Sequence, residues 1–156
     1  MCMDYKAELK NFFADRCLFD EPMAAHTTYR TGGHAEAFVL PKTHEDWSFV
    51  LKLAQTAKVP LRVLGFGSNI LVGSRGIKGI VCSTELMNNV LCEGDTLRAE
   101  AGAPLDKACE LSANAGLAGM EKLSGIPGSI GGAVYMNAGA FGQETFDCLD
   151  YFDVID

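Results

Sequence analysis

Residues 124–144 read SGIPGSIGGAVYMNAGAFGQE, a run of six glycines among apolar residues. An ordinary core helix is excluded, because each interior glycine costs about 1 kcal/mol relative to alanine. Pro127-Gly128 is typical of a turn and Ser129 of a helix N-cap, so residues 130–137 are predicted to form a short helix. Small residues in its first turn favour either an electropositive helix end against a ligand or a tight crossing with another element, and the residues alone leave both open.

A second glycine-rich segment, Gly65-Phe66-Gly67-Ser68-Asn69, follows directly after the apolar run 61–64. Glycines allow consecutive backbone N–H groups to converge on an anion, and Ser68 and Asn69 add side-chain donors. A pyrophosphate suits such a loop. It is not a P-loop, because no Gly-Lys-Ser/Thr follows, nor the dinucleotide pattern G-x-G-x-x-G. A turn without a ligand is the alternative.

The first half of the chain predicts a strand, a helix and a second strand. A helix capped by Asp4 precedes them, and residues 18–25 are expected to be extended and irregular. Residues 35–40 and 61–64 are predicted as strands, the latter buried, and together with the helix they form a βαβ unit with a parallel strand pair. Thr43 is the predicted N-cap of that helix, with Asp46 at the capping-box position. Its expected buried stripe is Trp47, Val50, Leu51, Ala54 and Ala57.

The second half predicts shorter elements. A strand is expected over 77–81, and residues 90–92 and 96–101 indicate a β-hairpin. Residues 149–155 have the character of a further strand. A helix between the hairpin and this last strand is expected to bury the stripe Leu105, Ala108, Cys109 and Ser112.

Composition narrows the function classes. The apolar fraction of 48% is typical of a globular protein, and a net charge of −7 without clustered Lys or Arg argues against nucleic-acid binding. No apolar run is long enough for a membrane helix, and residues 1–6 do not resemble a signal peptide, so a cytoplasmic location is expected. Six scattered cysteines without a C-x-x-C pair favour free thiols and predict no metal site.

Three motifs in the same order resemble those of the UDP-N-acetylenolpyruvoylglucosamine reductase family: residues 27–33, 63–81 and 124–144. The resemblance extends from Thr27 to the C-terminus. It implies an α+β, two-lobed FAD-binding fold of the PCMH type, with a small βαβ lobe and the start of a second lobe carrying an antiparallel sheet. The expected division is an N-terminal helix over 1–19, a first lobe over 20–80 and an incomplete second lobe over 81–156, with flavin between the lobes.

The resemblance also implies which residues contact the cofactor. Ala140 and Phe141 are expected beside the substrate, and some family members carry Tyr at the position of Phe141. Arg30 is expected to reach a phosphate or the flavin, although a solvated loop arginine is the alternative. The implied FAD-binding residues are Arg30, Gly65, Phe66, Gly67, Ser68, Asn69, Ile126, Pro127, Gly128, Ser129, Gly131, Gly132, Ala133, Asn137 and Gly139.

The implied reaction belongs to peptidoglycan precursor synthesis: NADPH reduces FAD, and the reduced flavin delivers a hydride to the enolpyruvyl group of a UDP-sugar. The family's catalytic arginine, serine and glutamate have no counterpart here, so no catalytic residue is assigned. The chain is interpreted as an N-terminal portion, inactive alone, without the C-terminal substrate domain. The alternatives are the FAD domain of another oxidase or dehydrogenase of the same fold, with His26, His34 or His44 as candidates for covalent flavin attachment, and a non-catalytic flavin-binding module.

Overall fold

The computed structural model describes residues 4–155, which divide into two units. One comprises the described residues up to Leu86 together with Ile155, and the other comprises residues 87–154. A strand from Ile77 to Ser83 lies wholly in the first unit. The boundary expected after residue 80 would divide that strand, whereas the two units of the structure meet after Leu86.

The first unit is built on a four-stranded mixed sheet. Its strands are β1 (Cys17–Pro22), β2 (His34–Val39), β3 (Leu61–Leu64) and β4 (Ile77–Ser83), in the spatial order β1-β2-β4-β3. β1 is antiparallel to β2, whereas β2 and β3 are each parallel to β4. The carboxyl ends of β2, β3 and β4 therefore meet at one edge of the sheet, which is where ligands bind in open α/β sheets.

Two expectations about this sheet are wrong. Residues 17–22 form β1 rather than an irregular segment; positive φ at Asp20 interrupts the strand, which buries only Cys17, so the alternation that marks a strand is absent. β2 and β3 run parallel, as the βαβ unit predicts, but they do not pair directly because β4 lies between them. β3 is consequently an edge strand with Arg62 and Val63 exposed, not a buried one.

The helices of the first unit begin at the predicted caps. The Asp4 side chain accepts from the Lys6 and Ala7 amides at the start of α1 (Tyr5–Phe13). Thr43 accepts from the Asp46 amide at the start of α2 (His44–Ala57). The Asp46 carboxylate does not complete a capping box, because it accepts instead from the Lys42 amide at 2.8 Å and pairs with Arg16. The buried face of α2 is Asp46, Trp47, Val50, Leu53 and Ala54. Leu51 and Ala57, which the sequence predicted to be buried, are half-buried beside this face.

The second unit contains two hairpins and two helices. β5 (Val90–Glu93) and β6 (Thr96–Ala99) form the predicted hairpin, and a second, smaller one joins β7 (Gly139–Ala140) to β8 (Gln143–Glu144). α3 (Leu105–Asn114) buries the four residues predicted for it, and α4 (Ile130–Met136) begins at Ser129. Residues 149–155 form no strand, contrary to expectation. Within 4–155, no helix has the length and apolarity needed to cross a bilayer.

Candidate functional site

An open cleft of about 440 Å³ lies in the first unit at the carboxyl ends of β3 and β4. Leu64 ends β3 and Ser83 ends β4, and the chain beyond each strand turns along the cleft. The segment 25–30 provides the opposite part of the lining. The lining residues are Ala25, His26, Thr27, Thr28, Arg30, Leu64, Gly65, Phe66, Ser83 and Glu85.

The 65–69 loop reaches this cleft through Gly65 and Phe66. None of its five N–H groups donates to another residue within 4–155. Gly65, Gly67 and Ser68 are buried or half-buried, and backbone donors in such positions nearly always have a partner, from protein, water or a ligand, so these free donors leave a place for an acceptor. A diphosphate supplies several acceptor oxygens, and this loop therefore fits the phosphate-binding role predicted for Gly65, Phe66, Gly67, Ser68 and Asn69.

Gly67 has a structural reason of its own to be glycine. Its φ is +65°, and a Cβ there would lie 2.1 Å from the carbonyl oxygen of His26 and 2.9 Å from the Cα of Thr27. The Thr28 amide donates to the Gly67 carbonyl at 3.2 Å. The glycine thus lets the 65–69 loop and the 25–30 segment touch, and the space beside its Cα is filled by the chain itself, not kept open for a ligand.

The side chains around the cleft are mainly donors. Arg30, exposed and at positive φ, brings a guanidinium to it, and its amide donates to the Thr27 carbonyl at 3.1 Å. Thr27, Thr28 and Ser83 bring hydroxyl groups, while Glu85 brings a carboxylate that suits hydroxyl or amino groups rather than phosphate. The sequence missed Ser83 and Glu85, because β4 was expected to end at residue 81. The meeting of parallel carboxyl ends is the signal that would have found them.

In the second unit, the start of α4 is not the free anion site that the sequence allowed. The Ile130 amide donates to the Ala103 carbonyl and the Gly131 amide to the Ala101 carbonyl, both at 2.8 Å. Ser129 takes up the next two amides through its side chain and its carbonyl. Every N–H of the first turn therefore has a partner in the protein, and the helix end has no donor left for a ligand.

The glycines of α4 differ in their surroundings. A Cβ on Gly131 would lie 2.8 Å from the Cβ and 2.9 Å from the carbonyl oxygen of Ala101, so this glycine serves a close crossing within the unit. A Cβ on Gly132 would meet only the Ser129 hydroxyl oxygen, at 3.3 Å, and Gly132 is exposed. Ala133 is buried in the core of the unit with Leu105. Of these three predicted contacts, Gly132 alone faces open space.

The turns on either side of α4 are held from within the unit. Before the helix, Ile126 packs against the core around Leu123, the Gly128 carbonyl accepts from the Leu105 amide at 3.0 Å, and Pro127 is exposed. These contacts fix the path of the chain into α4. They use backbone and apolar groups, and they leave no side-chain donor aimed outward.

After α4, Asn137 closes the helix at positive φ. Its side-chain oxygen accepts from the Phe146 amide at 2.9 Å and its side-chain nitrogen donates to Glu144 at 2.6 Å. A Cβ on Gly139 would lie 2.5 Å from the Gln143 carbonyl oxygen, so the β7–β8 pairing requires glycine there. In that hairpin Ala140 is half-buried and Phe141 is 86% exposed. The Asn137 amide group is thus committed to the turn.

Two thiols of the first unit are buried, and two of its histidines lie beside carboxylates. Burial raises the pKa of the Cys17 and Cys82 thiols, which keeps them protonated and unreactive. His26 is paired with Glu21, and His34 lies 3.7 Å from Asp20. Cys2 lies outside the described residues. Across residues 4–155, no group of three His, Cys, Asp or Glu side chains is arranged to hold a metal ion.

A βαβ-containing sheet with a glycine-rich loop at its carboxyl edge is an arrangement in which α/β folds commonly bind nucleotides. Comparison with protein-family models makes this specific. The chain belongs to the FAD binding domain family, whose model matches residues 35–156.

The chain is similar to reductases of one name and, in fold, to a more distant solved structure. UDP-N-acetylenolpyruvoylglucosamine reductase of Exiguobacterium sibiricum is 43% identical over 132 residues, which are 85% of this chain and 43% of that protein. The crystal structure of the corresponding Thermus caldophilus reductase superposes with a TM-score of 0.64 at 32% identity, over 84% of this chain and 45% of that one. p-Cresol methylhydroxylase superposes with a TM-score of 0.54 at 16% identity, over 72% of this chain and 24% of that one, and shares the fold alone. The chain thus spans less than half the length of the reductases that it matches.

Proposed function

We propose that this chain is the FAD-binding N-terminal portion of a UDP-N-acetylenolpyruvoylglucosamine reductase. The 65–69 loop carries the proposal, since its N–H groups are unpaired within the described residues and its first two residues, Gly65 and Phe66, line a cleft at the carboxyl ends of the parallel strands β3 and β4. The identity of 43% to a reductase of that name favours this enzyme, since p-cresol methylhydroxylase, at 16% identity, matches at the level of fold alone.

The residues of the cleft have distinct proposed roles. The N–H groups of Gly65–Asn69 hold the diphosphate of FAD, and Arg30 neutralises part of its charge by a charge-assisted hydrogen bond. Thr28 and Ser83 add hydroxyl donors, whereas the Thr27 hydroxyl donates to the Thr31 carbonyl. FAD held there would supply hydride-transfer chemistry between NADPH and the enolpyruvyl sugar nucleotide in the parent enzyme. The protein's own contribution here is to bind and orient the cofactor.

In the second unit, Gly132 is the proposed flavin contact for which the structure leaves room. Ala140 and the exposed Phe141 are proposed to lie near the substrate. Ile126, Pro127, Gly128, Ser129, Gly131, Ala133, Asn137 and Gly139 act indirectly in this proposal, by holding α4 and its turns in shape.

The chain alone is proposed not to reduce the UDP-sugar. Protonating the carbon beside the substrate carboxylate needs a positioned acid, which contributes about 10²–10⁴-fold. No residue within 4–155 is assigned that part: His26 is engaged by Glu21, and the Cys82 thiol is buried. The UDP-sugar and NADPH are therefore partners of the longer parent enzyme, for which a cytoplasmic location is proposed.

The alternative flavoenzymes are less well supported. Covalent attachment through His26 would have to break its pairing with Glu21 and its stacking on Phe38. A non-catalytic flavin module shares every binding feature described above, and the activity of the full-length parent protein distinguishes it from a reductase.

A titration of FAD into the folded chain tests the proposal. We expect bound flavin to show its visible absorption and quenched fluorescence, and Arg30→Asn to raise the Kd about tenfold, equivalent to about 1.4 kcal/mol. Asn is chosen because it tolerates the positive φ at this position. Arg62→Gln removes the same charge from an exposed position outside the cleft and serves as the control. Equal affinities for wild type and Arg30→Asn would remove Arg30 from the site, and no binding by wild type would refute the proposal.

A further inference from the structure

His26 stands where the two parts of the cleft lining meet. Its carbonyl oxygen is the atom that a Cβ on Gly67 would strike, and the next hydrogen bond along the chain joins the Thr28 amide to the Gly67 carbonyl. The position of the 65–69 loop relative to Thr27 and Thr28 is therefore set by the backbone at His26.

The His26 side chain ties that backbone to the sheet. Its ring stacks on Phe38, with ring centroids 4.1 Å apart and planes at 27°, and Phe38 is fully buried in the core of the unit. Its Nε2 lies 2.9 Å from Oε1 of Glu21 on β1. An ionised carboxylate only accepts, so the ring nitrogen is the donor. The two side chains are only 18% and 22% exposed, so water competes little for this bond.

We propose that His26 and Glu21 are positioning residues for the cofactor cleft, and we call this pair the His26–Glu21 brace. The brace acts through the backbone: the side-chain bond and the stack on Phe38 fix His26, which fixes the contact with Gly67 and the Thr28 hydrogen bond. The inference rests on the proposed function, because it assigns these residues to the binding of a diphosphate-containing ligand. Neither side chain donates to the ligand itself.

A second His–carboxylate pair in the same unit provides the matched control. His34 on β2 faces Asp20 on β1, but His34 Nδ1 and Asp20 Oδ1 are 3.7 Å apart and the two side chains are 54% and 87% exposed. Neither residue lines the cleft. Removing this pair changes the same chemistry without touching the 25–30 segment.

The test measures FAD affinity in a set of variants. Glu21→Leu and His26→Phe each remove the bond, the latter keeping an aromatic ring to stack on Phe38. We expect each to raise the Kd for FAD about five- to tenfold, with the double variant no worse than either single one. Glu21→Gln, which can still accept from His26, is expected to restore the affinity to within about twofold. Asp20→Asn and His34→Phe are expected to bind as wild type.

Amide hydrogen exchange of the free chain gives a second readout that needs no cofactor. The Thr28 N–H is expected to exchange faster in Glu21→Leu than in wild type, and at the wild-type rate in Glu21→Gln. Unchanged exchange in Glu21→Leu would overturn the brace. Faster exchange with unchanged FAD affinity, or a lower melting temperature alone, would also overturn it and leave a purely structural pair. Failure of wild type to bind FAD would refute the proposed function separately, and with it the role of the brace in ligand binding.

Discussion

Neighbouring glycines in α4 provide a sharp test, because the same substitution should have opposite effects one residue apart. Gly131→Ala adds a methyl group that would lie 2.8 Å from the Ala101 Cβ and 2.9 Å from its carbonyl oxygen. Gly132→Ala adds one whose only near neighbour is the Ser129 hydroxyl oxygen, at 3.3 Å. In both cases alanine is the better helix former, by up to about 1 kcal/mol.

At Gly131 the overlap outweighs that gain. Ala101 is held in place by the hydrogen bond from the Gly131 amide itself, at 2.8 Å, and the adjoining Ile130 amide is bonded to Ala103 at the same distance. Separating the segments to fit a methyl group weakens both bonds, each worth about 1 kcal/mol, and overpacking costs typically about 1–3 kcal/mol. We therefore expect Gly131→Ala to destabilise the chain by about 1–2 kcal/mol and Gly132→Ala to stabilise it slightly.

Urea unfolding followed by far-UV circular dichroism measures the two free energies of unfolding, and an FAD titration of each folded variant completes the comparison. We expect Gly132→Ala to raise the Kd for FAD although it does not weaken the fold. If Gly131→Ala is as stable as Gly132→Ala, the close crossing at Ala101 is wrong. If Gly132→Ala binds FAD as wild type does, Gly132 is not a flavin contact.

Two further perturbations follow from the first unit. Hydrogen bonds from the Gly79 amide and then from Lys6 lower the pKa of Glu36 to about 2, below its ordinary value of about 4.3. The ionised carboxylate therefore stabilises the fold fully above about pH 4.3, and this stabilisation is lost as the pH falls toward 2. Glu36→Gln should therefore destabilise the chain at pH 6 more than at pH 3, and an equal loss at both would contradict the shift. Gly67→Ala should weaken both FAD binding and the fold, because the added methyl group meets the His26 carbonyl. We expect the free energy of unfolding to fall by more than about 2 kcal/mol. A variant as stable as wild type in thermal unfolding would exclude that contact.

Features that depend on neighbouring residues were predicted well from the sequence. The caps at Asp4, Thr43 and Ser129 are confirmed, because a cap is a hydrogen bond within three residues of chain. The buried stripe of α3 is confirmed as well, since helical spacing alone determines which residues share a face. Both signals are complete within a single element.

Features that depend on pairing between distant segments of the chain were not predicted correctly. The insertion of β4 between β2 and β3 is decided by which strands pair across the sheet, and the spacing of strand, helix and strand is the same whether or not a further strand lies between them. β1 was missed for a related reason. Its strand character comes from pairing with β2, whereas its own residues show little alternation of burial.

The two glycine-rich motifs show how far a site can be predicted from such a pattern. A glycine in such a motif indicates that another group lies close to the backbone, but it does not indicate whether that group belongs to a ligand or to the chain itself. At Gly67 it is the His26 carbonyl, and at Gly131 it is Ala101, so both glycines are explained before any cofactor is considered. What distinguishes a binding loop is the set of backbone donors left unpaired, as in the 65–69 loop but not at the start of α4. That difference arises from which backbone carbonyls the fold brings to each turn, here Ala101 and Ala103 at α4, and those partners lie too far away in sequence to be identified from the motif.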